Sequence, residues 1–521
     1  MTGKSKDATS HRKHQNGLHN GNHNNNNFDQ CHQKAEKETG HELVTPIELK
    51  RNMGLVSGTA LIVGTMIGSG IFVSPRGVLE GSGSIGMSLV VWALCGLLSL
   101  CGALTYAELG TAIQESGGEH AYLKRTFMPM GSLGRLPVFM FDWLGVFVLR
   151  PSMFAIMALS LGTYATQPWY GHCQTPDYVI KIVTIMSMGK SIVFIIPALA
   201  GIINTMSVNA ALVVQNTLTA TKLLAAAIII IGGSVKIAQG NTEFIGEGFK
   251  DTKEDLSLLA VSFYNGLWAY DGWNNLNLAT AELQNPSVNL PRSILIGIPL
   301  TTLVYILVNV GFFSVMSKEE VLQVDAVAVI WGERVLGDFY FIIPICVVLS
   351  CFGAVNGTIF TSGRLTYVAA KENHLPYVLS YIHVYKKTPL PSLIFTTVIG
   401  ILLILPGNLS SLIEFFSFSA WIFYGLAALA AIVLRFTEPD LPRPYRVPLI
   451  IPSIVVLASI YLLVAPIIHN PRVEYLYPLL FTAVGVFVYI PCVHYKYSPR
   501  WVGWFSEFLQ KLLLIFPTDT Y

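Results

Sequence analysis

Two stretches of this sequence interrupt apolar runs with glycine and with groups that could hold a small charged molecule. The first reads VGTMIGSGIFVSP, with Gly68, Ser69 and Gly70 at its middle. The second reads FYNGLWAYDGWNN, where Gly266 and Gly272 bracket Trp268, Tyr270 and Asp271. Glycine weakens a helix interior by about 1 kcal/mol relative to alanine. A helix that breaks leaves N–H groups free at the start of its next half, with the positive end of that half's dipole behind them. Ser69 and Gly70 would donate there to a carboxylate, the Ser69 hydroxyl adding one more bond. Free carbonyls near Met66, and around Trp268 and Asp271, would accept from an ammonium group. Together the two interruptions suit both charged ends of an α-amino acid. Close helix packing through small residues is the other reading of a lone G-S-G. A second interruption five spans later, carrying an acid and two tryptophans, favours a binding site.

The elements that must position these residues are membrane spans. Of 521 residues, 52% are hydrophobic and 12% charged, and the mean hydropathy is +0.54. A soluble domain carries about 25% charge, so most of this surface faces something other than water. About twelve apolar runs reach the length a bilayer requires: approximately 52–78, 86–112, 136–165, 181–204, 208–235, 256–283, 292–316, 337–370, 390–406, 411–435, 447–468 and 473–495. The loops at 113–135 and 371–389 carry Lys124, Arg125, Arg135, Lys371, Lys386 and Lys387. The positive-inside rule places both in the cytoplasm, and an even span count then puts both termini there as well.

Residues 1–43 form an Asn/His-rich tail that cannot bury apolar surface, so disorder is expected. Its histidines, His11, His14, His19, His23, His32 and His41, could meet a metal, but no Cys/His spacing recurs and a solvated tail is the preferred reading. The transporter domain is expected over 44–498 and a cytoplasmic C-terminal segment over 499–521. The amphipathic loop 317–336 is expected to lie over the outer face as a partial lid. No cleavable leader is expected before the first apolar run. Neither a nucleophile–base pair nor a metal set points to an enzyme, no cofactor is expected, and no basic cluster suggests nucleic acid.

VGTMIGSGIFVSP, YAELGTAIQESGGEHAYL, FYNGLWAYDGWNNLN, NPSVNLPRSILIGIPL and FTSGRLTYVAAKENHLP resemble the light chains of heteromeric amino acid transporters, within the amino acid–polyamine–organocation superfamily. The similarity runs from about residue 48 to 497, and GLWAYDGWN looks most like the b(0,+)-type light chain. The resemblance implies an all-α membrane protein of LeuT-like architecture: a first five-span repeat over about 52–235, an inverted second repeat over about 256–435, and two extra spans over about 447–495. It implies sodium-independent exchange of cationic and neutral amino acids at the plasma membrane, leaving cystine open as a further substrate. Cys173, in PWYGHCQTPDY, matches the family cysteine that bridges to a single-pass glycoprotein heavy chain.

By the same resemblance, Trp268 is the aromatic gate over the bound side chain. Lys222, in the fifth span, would place an ammonium where sodium-coupled relatives hold a cation. Asp271 is an ionisable group at mid-membrane and functional by default; it would favour cationic side chains. A structural role for Asp271, with large neutral substrates instead, is the alternative, as is a non-transporting sensor on the same scaffold. Two departures from the family pattern stand out. About nine extra residues lie between Cys173 and Asn204, with Lys190 among them, and Ala281-Glu282 replaces a pair of glutamates. Asp142, in the third span, matches no family position, and the sequence assigns it no role.

Overall fold

Every backbone polar group within lipid must be satisfied inside its own segment, so apolar runs of this length can cross only as helices or closed barrels. The computed structural model of the chain is helical. It describes residues 53–113, 118–131, 134–171, 175–190, 208–278, 280, 283–384, 388–469, 473–495 and 500–517. Among these residues seven helices are long and apolar enough to cross a bilayer. They are α3 (Ile85–Ala112), α5 (Arg135–Tyr170), α7 (Ala220–Ala238 of Val208–Ala238), α9 (Pro286–Phe313), α14 (Leu409–Thr437), α15 (Ile450–His469) and α16 (Tyr475–His494). A bent pair, α1 (Leu55–Met66) and α2 (Gly70–Ser82), forms an eighth candidate.

Between them lie α4 (Glu119–Phe127), α6 (Asp177–Lys190), α8 (Leu256–Ala269), α10 (Lys318–Gln323), α11 (Val327–Leu336), α12 (Ile342–Lys371) and α13 (Leu390–Ile404). The expected fourth span runs beyond α6 into residues outside those described, as do Cys173 and Ala281-Glu282. Leucines and other large apolar residues face outward along the long helices, among them Leu97, Leu303, Leu457 and Phe487. That is the surface a hydrocarbon solvent covers.

The bundle is organised around the two interrupted spans. α2 packs along α8, α1 along α9, α5 along α12, and α7 along both α9 and α12. Gln284 N–H donates to Met53 O at 2.9 Å, tying the start of the first span to the end of the sixth-span segment. The amphipathic loop 317–336 folds as two helices. Ser317 and Glu320 close a capping box on α10, and α11 buries Val327 to Gly332, with Trp331 Nε1 donating to Gly311 O at 2.8 Å. A C-terminal helix, α17 (Arg500–Leu513), leads into β2 (Ile515–Phe516), which pairs antiparallel with β1 (Ile382–His383).

One buried ion pair spans 327 residues of sequence. Glu108, near the end of α3, accepts from Arg435 Nε at 2.9 Å and from Arg435 Nη2, and Val447 N–H donates to its second oxygen at 2.9 Å. Truncating one partner of a buried pair leaves an uncompensated charge and costs about 3–5 kcal/mol. Glu108→Ala is therefore expected to lower the unfolding midpoint of the purified protein substantially. An unchanged midpoint would remove this pair from the account of stability.

Candidate functional site: two broken helices joined by a tyrosine and a lysine

The first interruption is a true break. α1 ends at Met66, α2 begins at Gly70, and the two axes meet at 55°. Among the described residues no acceptor meets the N–H groups of Gly68, Ser69, Gly70 or Ile71. These are the free donors that the sequence places at the start of the second half-helix. Ser69 is buried; its hydroxyl makes no capping bond and lies against the Cys351 thiol on α12.

The second interruption is sharper than a kink. α8 stops at Ala269 after 14 residues, about 21 Å at 1.5 Å per residue and short of a bilayer core. Residues 270–274 turn, with Gly272 at φ 101°, a left-handed conformation that glycine takes without strain. One helical turn, Asn275–Leu278, follows.

The two breaks meet face to face. A Cβ on Gly70 would sit 2.6 Å from Ala269 Cα, so glycine is what lets the two backbones touch. Thr65 Oγ1 contacts Gly272 O at 3.3 Å. Tyr305, on α9, places its hydroxyl 2.6 Å from Met66 O and 2.7 Å from Ala269 O, bridging the last carbonyls of both first halves. A phenol has one proton, so it can satisfy one of these acceptors at a time. The other keeps a lone pair for an incoming ammonium. Lys222 donates from Nζ to Gly64 O, in the last turn of α1.

The sequence placed Met66, Ser69, Gly70, Trp268 and Asp271 at the two breaks, and the family resemblance placed Lys222 beside them; the fold brings Met66, Ser69, Gly70 and Lys222 to the junction, with Trp268 one residue before Ala269. Sequence reasoning missed Tyr305, whose phenol looks like any aromatic in an apolar run, and Cys351. Tyr305→Phe removes the single bridging proton and leaves one more buried carbonyl short of a donor, worth about 1–3 kcal/mol. Exchange of every substrate is expected to fall together with stability; loss of one substrate class alone would contradict the bridging role.

Trp268 is 5% exposed and packs edge-to-face on Phe416, ring centres 5.1 Å apart, with its indole N–H buried and unpaired. Asp271 is held by Tyr424, which belongs to a cluster of packed aromatic rings. Tyr424 OH donates to its Oδ1 at 2.8 Å, Trp273 lies 5.0 Å from the Tyr424 ring, and Tyr106 lies 4.8 Å from Trp273. Arg150 is the positive charge that acts on Asp271. An acid held at this depth by one phenol keeps its second oxygen for a cationic partner. A separate cavity of about 250 Å³ is lined in part by Val73, Arg76, Asn265 and Asp325, with an Arg76–Asp325 ion pair joining α2 to the loop before α11.

A family model described as amino acid permease matches residues 53–490. The chain belongs to the amino acid permease family. This permease is similar to the b(0,+)-type amino acid transporter 1 of Mus musculus, 45% identical over 491 residues that cover 93% of this chain and 97% of the relative. It is also similar to the large neutral amino acids transporter small subunit 2 of Homo sapiens, 41% identical, covering 90% of this chain and 85% of the relative. The Homo sapiens cystine/glutamate transporter is 39% identical and covers 90% of each chain. With this membership and its apolar helices, the chain is a multi-pass membrane protein.

Proposed function

We propose that this permease is a sodium-independent exchanger of cationic and neutral amino acids at the plasma membrane, with cystine as a further substrate. The observation that carries the reading is the junction itself. Free N–H groups at 68–71 face a carboxylate while the Met66 and Ala269 carbonyls around Tyr305 face an ammonium, and neither contact depends on the side chain. Asp271, held by Tyr424, extends the selectivity to cationic side chains. Lys222 supplies the positive charge that a bound sodium ion would otherwise provide beside the first break. Trp268 closes over the substrate side chain as the gate.

The architecture under this reading is twelve spans, two inverted repeats of five followed by two more, with both termini cytoplasmic. α4 and the segment after α12 then lie on the cytoplasmic side, and α10–α11 on the outer side. A glycoprotein heavy chain accompanies the protein through a disulfide at Cys173. The words "small subunit" in one relative's name support such a companion. Cys173→Ser is expected to abolish the reducible high-molecular-weight band on gels of co-expressing cells; a persisting band would move the bridge elsewhere.

Uptake of labelled arginine and labelled leucine by cells expressing the chain with a heavy chain tests the substrate range. Both should enter in sodium-free medium. Leucine uptake without arginine uptake would select the large-neutral reading, in which Asp271 serves structure alone.

A further inference from the structure

Away from the helix breaks, four titratable side chains from three segments converge. His120 lies in the first turn of α4, Asp142 lies in α5, and Glu372 and His374 follow α12. His120 Nδ1 stands 3.0 Å from Asp142 Oδ1, and its Nε2 stands 3.2 Å from Glu372 Oε2. His374 Nδ1 stands 2.5 Å from the other Asp142 oxygen, and Lys124 Nζ is 3.2 Å from Glu372 Oε1. The Asp142 side chain is 2% exposed and that of His120 12%. Each of His120, Asp142 and Glu372 offers a ligand atom within 4.8 Å of the others.

An ion-pair clasp accounts for part of this arrangement. It leaves His120 Nε2 buried and near a carboxylate without an aligned hydrogen bond. Asp142 is buried and His120 nearly so, while the Glu372 side chain, 33% exposed, opens the cluster to water. One imidazole and two carboxylates form a donor set for a borderline first-row divalent ion, at about 2.0–2.2 Å per ligand. His374, on the free oxygen of Asp142, and Lys124, on Glu372, are the outer-shell partners that fix ligating carboxylates.

We infer that His120, Asp142 and Glu372 form a zinc-class metal site that clamps α4 to the α5 and α12 segments. Binding forms one bond from a ring nitrogen of His120 and one from each carboxylate, and releases the displaced ring proton to water. The neighbouring Glu119 accepts from Asn274 Nδ2 at 2.7 Å, within the second break. An ion that fixes α4 therefore restrains that break and slows exchange.

The test is a zinc titration of the purified full-length chain with His11, His14, His19, His23, His32 and His41 all changed to Gln, so that the tail cannot contribute. One equivalent should bind, and His120→Gln and Asp142→Asn should each weaken it at least tenfold, the scale that even outer-shell changes reach. Glu243→Gln, which removes an exposed carboxylate outside the cluster, should still bind one equivalent. Should either ligand variant fail to fold, X-ray absorption at the zinc edge of the otherwise unmutated tail variant decides, with a first shell of nitrogen and oxygen expected. No bound equivalent, equal affinity in the His120→Gln protein, or sulfur in the shell would each overturn the site.

Discussion

Asp271→Asn should all but abolish arginine exchange while leucine exchange continues near the wild-type rate. The amide keeps an oxygen for the Tyr424 hydroxyl, so that hydrogen bond is retained and the negative charge alone is lost. Leaving a cationic side chain unpaired in a desolvated site costs about 3–5 kcal/mol. At 1.4 kcal/mol per tenfold, that is roughly two to three and a half orders of magnitude. A neutral side chain never used the charge. Arg150 works against this effect by countering part of the Asp271 charge, so the size of the arginine loss reports how far the acid is free to serve substrate. Equal loss of arginine and leucine would make Asp271 a structural partner of Tyr424 and Arg150. The measurement is initial uptake of both labelled substrates at matched surface expression.

Gly70→Ala should reduce all substrates together. The added Cβ would lie 2.6 Å from Ala269 Cα, a backbone atom that cannot swing aside. The two breaks must separate, which displaces the N–H groups at 68–71 relative to the Met66 and Ala269 carbonyls. A misplacement of about 1 Å in a positioning site can cost a hundredfold, and overpacking adds about 1–3 kcal/mol of instability. Uptake of arginine, leucine and cystine measured side by side should fall in parallel. Selective loss of any one of them would mean that the first break reads side chains, which the geometry denies.

Much of this site was legible in the sequence because breaks in membrane helices have a compositional signature. G-S-G in an apolar run, and two glycines flanking an acid and a tryptophan, mark where backbone groups must be left free. Lys222 was legible for the same reason that Asp271 was: charge inside a span is expensive. What stayed hidden depends on pairing across long sequence distances. Tyr305 gains its meaning from two carbonyls 239 and 36 residues away, and Glu108 gains its own from Arg435. Asp142 fitted no expected pattern because its partners, His120 and His374, sit on segments that only the fold brings together. The pairing of Asp271 with Tyr424 likewise followed from the fold and not from spacing.

Division of labour between the two breaks is the centre of the account, and sodium-free exchange is what that division should produce. The most direct measurement is uptake of labelled arginine into proteoliposomes that hold the purified chain with its heavy chain, in buffer without sodium. Vesicles preloaded with leucine should take up arginine many times faster than empty ones. Equal uptake into empty and preloaded vesicles, or uptake that appears only when sodium is added, would contradict the account.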